Sequence, residues 1–161
     1  MLTEAGMTLR DNLGPIHIIQ MTTTPKGIEN AELLESIFGC WPSFHDAEID
    51  SIVITREGDS GPQMDISIHH WQMTSEVDSK GYYVLKHHTL TTLRFSKIGD
   101  LQLAGFNGQN VLWDIEISPN GVPESESAFS VSMPTSYGCE ASFKCGRIRV
   151  MSAIPYMKHD A

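Results

Sequence analysis

Hydrophobic and polar residues alternate along most of the chain after residue 43, with a period of two that predicts β-strands. The alternation is cleanest in Asn110–Ser118, where every second residue is apolar and is expected to face the core. These apolar residues are Val111, Trp113, Ile115 and Ile117. Similar patterns predict strands at Ala47–Arg56, Gln63–Trp71, Tyr82–Lys86, Thr89–Phe95, Ala128–Met133, Cys139–Cys145 and Arg147–Ile154. In the first of these the apolar phase slips near Ser51, which a β-bulge or a stretch buried on both faces would produce.

One helix is predicted ahead of the strands. Asn30 is a suitable N-cap, and Gly39 stands where a left-handed C-cap belongs. Between them the apolar residues form a single stripe that needs a packing partner. The stripe consists of Leu33, Leu34, Ile37 and Phe38. Trp41–Pro42 then ends the helix, because proline cannot continue one.

No helix separates consecutive strands, so parallel crossover connections are not available and the sheet is expected to be antiparallel. The fold class is therefore predicted as mainly β (α+β). We expect an antiparallel meander that forms a curved sheet or open sandwich, with the N-terminal helix packed at one end. A chain of 161 residues fits one domain. We assign residues 1–26 to a poorly anchored N-terminal arm and residues 27–161 to a single mainly β domain.

Charge narrows the range of partners. The formal net charge of −9 argues against nucleic acid and against an anionic membrane surface, because both are bound through Lys and Arg. It favours solubility and fast encounter with a basic protein. The charge is uneven, since residues 134–161 hold four basic and two acidic residues, a net of +2 that leaves −11 for the rest.

The cysteines and the apolar runs indicate a location. The three cysteines are an odd number and form no CxxC pair, so neither a disulfide framework nor a zinc ribbon is expected. No stretch approaches the length of a membrane span, and residues 1–20 lack the pattern of a secretory signal. The predicted location is the cytoplasm, with reduced thiols.

A partner-binding surface is predicted where carboxylates alternate along strands and where aromatic side chains are expected to be exposed. Carboxylates spaced two residues apart share one face of a strand. Exposed tryptophans are common anchors in protein interfaces. The candidate partner-binding residues are Trp41, His45, Asp46, Glu48, Asp50, Trp71, Asp114 and Glu116.

A metal site is the alternative. His45 and Asp46 could be joined by one histidine from His69–His70 and one from His87–His88, because strand neighbours point to opposite faces. The representative ligand set is His45, Asp46, His69 and His87, and it would suit a metal-dependent hydrolase. No feature of the sequence positions Ser43 as a nucleophile in a triad. We therefore predict no catalytic residue and no cofactor.

The order of these features resembles the immunity protein 50 family, which is found beside toxin genes in bacterial polymorphic toxin systems. The resemblance covers about residues 31–156. It rests on Glu32–Gly39, Pro42–Ser43, Asp46–Ile49, Leu93–Phe95, Ile98–Phe106, Asn110–Ile117 and Ala141–Pro155. The segments 41–46 and 72–80 depart from the family pattern.

The resemblance implies a non-enzymatic module that binds and neutralises a cognate toxin in the cytoplasm of the producing cell. The acid excess suits a basic toxin such as a nuclease. A structural small domain without a toxin partner is a further alternative. Edge strands could also pair two copies into a homodimer.

Overall fold

The fold is mainly β, as the sequence predicts, and the described part of the chain contains one short helix. The structure is a computed structural model that describes residues 22–121 and 127–157. Most of the N-terminal segment predicted at residues 1–26 therefore lies outside the described residues. The elements in chain order are β1 (Ile28–Glu29), α1 (Glu32–Phe38), β2 (Glu48–Gly58), β3 (Gly61–Val77), β4 (Tyr83–Ser96), β5 (Gly99–Ala104), β6 (Val111–Leu112), β7 (Glu116–Pro119), β8 (Phe129–Met133), β9 (Thr135–Tyr137), β10 (Glu140–Cys145) and β11 (Arg147–Pro155).

The strands form two open sheets. One has seven strands in the order β1-β11-β4-β3-β2-β6-β9, and the other has four in the order β5-β10-β8-β7. Strands β2, β3 and β4 follow one another as a meander, while β11 returns to the other side of β4. The described pairs are antiparallel except for the two-residue parallel pair of β1 and β11. Among the described residues no helix is long and apolar enough to cross a membrane.

One hydrophobic core contains side chains from both sheets and from the helix. Alternate residues of β8 and β10 are buried, so these two strands present one apolar face, as their period of two predicts. Phe95 of the larger sheet meets Phe143 of the smaller one, with ring centroids 4.9 Å apart and the rings nearly perpendicular. This edge-to-face contact is a favourable aromatic geometry and joins the two sheets.

The helix begins one residue later than predicted. Ala31 is the N-cap, and the capping role expected for Asn30 is wrong. Asn30 has a positive φ of 58° and its side-chain amide donates to the backbone oxygen of Val150, which connects the helix entry to β11. Gly39 is the left-handed C-cap, with φ 78°, as predicted.

Only part of the helical stripe is buried. Leu34 and Phe38 lie in the core, whereas Leu33 is 40% exposed. Residues four apart project from the same side of a helix, so a seven-residue helix presents a narrow apolar face to the sheet.

The single strand predicted for residues 110–118 is wrong. The chain passes from one sheet to the other at this point, as β6 belongs to the larger sheet and β7 to the smaller one. Leu112 is fully buried, whereas Trp113 is 58% exposed, and the backbone N–H of Trp113 donates to the oxygen of Pro134. Val111 is only partly buried, while Ile115 faces the core as expected.

Strand β2 contains a bulge, which is one of the two explanations offered for the apolar slip near Ser51. The register with β3 shifts between Ile49 and Ser51, which leaves Asp50 as the extra residue. The cysteines are free, and burial raises the pKa of the Cys145 thiol to about 12.

The hairpin of β3 and β4 is longer than predicted. The separate strands expected at 82–86 and 89–95 are one strand, with His87 at a φ of 54° between them. Neighbouring strands accompany the hairpin only as far as His69 on the β2 side and Thr89 on the β11 side. Residues 72–86 thus extend beyond the sheet as a two-stranded projection, which we call the arm.

Removing the ring that joins the sheets should destabilise the protein. We expect Phe143→Ala to lower the free energy of unfolding by about 3–5 kcal/mol, because it leaves a cavity between the sheets. Urea denaturation measures the change. Val53→Ala, at a side chain that is 57% exposed, should change the value by less than about 0.5 kcal/mol. Equal effects of the two substitutions would contradict a core shared by both sheets.

Candidate partner-binding site

The outer face of the seven-stranded sheet is the face turned away from the core. Cross-strand partners lie on the same face of a sheet, so the register shows which side chains share it. One row across this face contains Glu29, Arg149, Arg94 and Asp65. Arg94 donates two hydrogen bonds of 2.8 Å to the Asp65 carboxylate, and Arg149 pairs with Glu29. These arginines are therefore neutralised within the protein.

Four rings lie together farther along the same face, at the base of the arm. We call His69, Trp71, His88 and Tyr156 the platform. The ring of His69 stacks on that of Tyr156 with centroids 3.6 Å apart, and it lies 5.1 Å from the Trp71 ring. Nε2 of His69 and Nδ1 of His88 share a hydrogen bond of 3.1 Å. His88 is exposed and the other three are half-buried, so the platform is accessible to a partner.

Three strands bring the platform together. His69 and Trp71 are two residues apart on β3, which places both side chains on one face. His88 comes from β4. Tyr156 follows β11 and its backbone N–H donates to the oxygen of His88 at 2.9 Å, which extends the ladder of β11 and β4 by one residue. The platform therefore depends on the pairing of β3 and β11 on either side of β4.

The electrostatic environment keeps His69 neutral. Burial lowers the pKa of His69, and the neighbouring His88 lowers it further, while Asp50 acts in the opposite direction. A hydrogen bond between two imidazole nitrogens also requires one of them to be unprotonated. Glu48 lies directly opposite His69 in the register of β2 and β3. Carboxylates thus border an imidazole whose neutral form is favoured.

The carboxylates at the start of β2 differ from those elsewhere on the sheet. Glu29, Asp59, Asp65 and Glu76 each pair with a lysine or arginine. Within residues 22–121 and 127–157, the carboxylates of the β2 start have no such ion pair. These are Asp46, Glu48 and Asp50. Their negative charge is available to a partner.

His45 and Asp46 lie just before β2. Nδ1 of His45 is 2.9 Å from the backbone oxygen of Trp113, and its Nε2 is 3.6 Å from Asp46 Oδ2. The rings of His45 and Trp113 meet edge to face at 4.6 Å. Ser43 accepts a hydrogen bond from the backbone N–H of His45, so the structure shows no serine–imidazole contact of the kind a triad uses.

Three of the predicted partner-binding residues lie elsewhere. The exposure expected for Trp41 is wrong, since it is 5% exposed and packs edge to face on Phe44. Asp114 precedes β7 and accepts a hydrogen bond from the backbone N–H of Ile115. Glu116 lies on the smaller sheet, at an open groove of about 380 Å³ that is lined by several serines. The structure therefore places Glu116 on a different sheet from the carboxylates of β2, whereas Asp114 follows Trp113, which contacts His45.

The metal set considered from the sequence does not assemble. His69 pairs with His88, whereas His87 points to the helix side, where its ring lies 6.3 Å from that of Phe38. His70 is buried on the core side, which confirms that the two histidines of a strand pair face apart. No group of three potential ligands occurs in the described part of the chain. His45, Asp46, His69 and His87 thus form no cluster there.

Sequence reasoning missed Tyr156 and Trp113, and it considered His88 only as an alternative to His87 in a metal site. The period of two could place His69 and Trp71 on one face, but Tyr156 lies beyond the last predicted strand. Only the pairing of β11 with β4 brings Tyr156 to His69. Trp113 was expected to face inward because alternation alone cannot show where a chain changes sheets.

The fold and the site together define a class: a mainly β protein with two open sheets, whose larger sheet has an acidic and aromatic outer face. The chain belongs to the immunity protein 50 family, Imm50, whose model matches residues 30–156. The match confirms the resemblance drawn from the sequence, and the family suggests a non-enzymatic role. No curated protein and no solved structure matches the chain.

A buried histidine supports the platform from the core side. His70 is 1% exposed and lies between the rings of Phe38 and Phe44, each with its centroid 4.9 Å away. Its Nε2 shares a hydrogen bond of 2.8 Å with the hydroxyl of Thr91, and its Nδ1 has no partner among the described residues. Burial lowers the pKa of His70 to about 4.

Acid should therefore destabilise the fold through His70. Below its ordinary pKa of about 6.5 the unfolded chain binds a proton that the folded state excludes, so stability falls as the pH drops from about 6.5 to 4. The shift corresponds to roughly 3 kcal/mol at the low end. Urea denaturation at several pH values should show that the free energy of unfolding falls less steeply with acid in His70→Gln than in the wild type. Thr91→Val keeps the imidazole and should lose stability with acid as steeply as the wild type. Equal pH dependence in the wild type and in His70→Gln would contradict the role of His70.

Proposed function

We propose that this protein is a non-enzymatic immunity protein of a bacterial polymorphic toxin system, which binds and neutralises a cognate toxin in the cytoplasm of the producing cell. The observation that carries the proposal is the family match over residues 30–156. The outer face of the larger sheet supports it, because it holds accessible aromatic rings and such side chains are enriched in protein interfaces.

The proposed partner has a basic surface. Asp46, Glu48 and Asp50 have no ion pair with lysine or arginine in the described residues, and the protein as a whole carries a net charge of −9. Opposite fields speed the encounter of two proteins. Carboxylates can also occupy positions that nucleic-acid phosphates would take, so a nuclease is the toxin class that we propose.

Neutralisation can be tested in cells. The toxin encoded beside this gene should arrest growth when expressed alone, and co-expression of this protein should restore growth. The two proteins should elute together in size-exclusion chromatography. A toxin from an unrelated system is the control and should stay active. Continued growth arrest together with separate elution would refute the proposed function.

The carboxylates of β2 should affect the rate of association. We expect Glu48→Gln/Asp50→Asn to slow binding of the toxin by about three- to tenfold at low salt, because rim charges act mainly on the association rate. Binding kinetics at several salt concentrations measure the effect, which should shrink as salt screens the charges. Glu57→Gln/Asp59→Asn removes the same charge at the far end of β2. If both double variants slow association equally, net charge rather than this site is responsible.

A further inference from the structure

An apolar surface continues from the platform onto the arm. Trp71 and Met73 are two residues apart on β3 and so lie on one face, and Met73 pairs with Leu85 of β4. Met73 is 54% exposed. The platform and the outer face of the arm therefore form one continuous surface.

The arm is an unusual feature for a protein that acts alone. No described strand flanks residues 72–86, so both edges of the hairpin are open to an added strand. A two-stranded hairpin is marginally stable by itself in water. Near its end Val77 is 56% exposed and Tyr82 is 69% exposed. Apolar side chains concentrated on such a projection indicate a contact with another protein.

The charges at this surface indicate the chemistry of that protein. Glu48 and Asp50 border the platform, and Lys86, the lysine on the strands of the arm, is bound to Glu76 at 2.8 Å. The Trp71 and Tyr156 rings offer negative π-faces, to which guanidinium and ammonium groups are attracted. Rings bordered by carboxylates therefore suit an arginine or lysine side chain.

We propose that the platform and the outer face of the arm form the docking surface for an arginine- or lysine-bearing segment of the toxin, and that acid weakens this contact. The proposal rests on the proposed function and specifies where and how the toxin binds. The cation packs on the rings beside Glu48 and Asp50, while apolar residues of the same segment contact Met73 and Leu85.

The pH dependence follows from the groups that face His69. These are Glu48 and Asp50 from β2, Trp71 from its own strand, His88 from β4 and Tyr156 after β11. When His69 is protonated, its Nε2 can no longer accept the hydrogen bond that it shares with His88. Its positive charge then stands beside the carboxylates and repels the incoming cation. Binding should therefore be strongest above neutral pH and weaken as the pH falls.

The docking surface can be tested with the purified toxin encoded beside this gene, using calorimetry or biolayer interferometry. We expect Met73→Lys and Trp71→Ala each to weaken binding at least tenfold. The matched control is Val53→Lys, which adds the same charge at a side chain that is 57% exposed on the same sheet. Val53 lies about 15 Å along β2 from Glu48. Its substitution should change the affinity by less than about twofold.

The outcomes separate the two proposals. A wild-type protein that does not bind the toxin refutes the proposed function. Wild-type binding with equal affinities for Met73→Lys, Trp71→Ala and Val53→Lys overturns the docking surface. Circular dichroism checks that each variant folds. If Trp71→Ala unfolds, the toxin affinity of Met73→Lys, whose substitution is at an exposed side chain, decides whether the docking surface is correct. If Met73→Lys instead separates a homodimer and leaves toxin affinity unchanged, the surface joins two copies and the inference is wrong.

The acid effect has its own variant. Between pH 8 and pH 5.5 the wild-type affinity for the toxin should fall at least threefold more than that of His69→Gln, which cannot gain the charge. Titrating groups on the toxin affect both pH profiles of the affinity equally, so comparing the wild type with the variant cancels their contribution. Parallel profiles would overturn the acid dependence.

Discussion

The pairing of β3 with β4 is the interaction on which the rest of the structure depends. Its register is unbroken from the pair Gln63–Ser96 to the pair His70–Thr89, and it places Ile66 opposite Leu93 in the core. A slip of one residue would move every buried side chain of these strands to solvent. Because core packing determines this register, it also determines which side chains lie on the outer face. The platform is thus held in place by the same pairing that forms the hydrophobic core.

Internal ion pairs determine where the acid excess of the chain acts. The mildly basic C-terminal segment does not form a free basic surface, because Arg147 and Arg149 pair with Glu29, and Lys144 pairs with Asp100. The carboxylates at the start of β2 have no such partners among the described residues. Glu48 and Asp50 therefore leave negative charge beside the platform, where it supports the proposed contact with a basic toxin.

The strands could be predicted because a strand buried on one face requires an apolar residue at every second position. This held for β8 and β10, whose alternate residues are buried. It failed in Asn110–Ser118, where an even alternation continues through a passage between two sheets and leaves Trp113 exposed. The period of two records that a side chain is apolar, and it contains no information about which sheet a residue joins. The prediction of Asn30 as the helix N-cap failed for a similar reason, because the side-chain amide of Asn30 donates a hydrogen bond to β11 instead.

The sequence by itself determined the mainly β fold class, the single described helix with its end at Gly39 and the family to which the chain belongs. These follow from local periodicity, from backbone preferences and from the order of segments along the chain. Only the tertiary structure decided which residues meet at the candidate site. Tyr156 reaches His69 across β4, and His88 rather than His87 shares its hydrogen bond. Such contacts depend on the pairing of strands far apart in the chain, and that pairing is decided by how both sheets pack into one core.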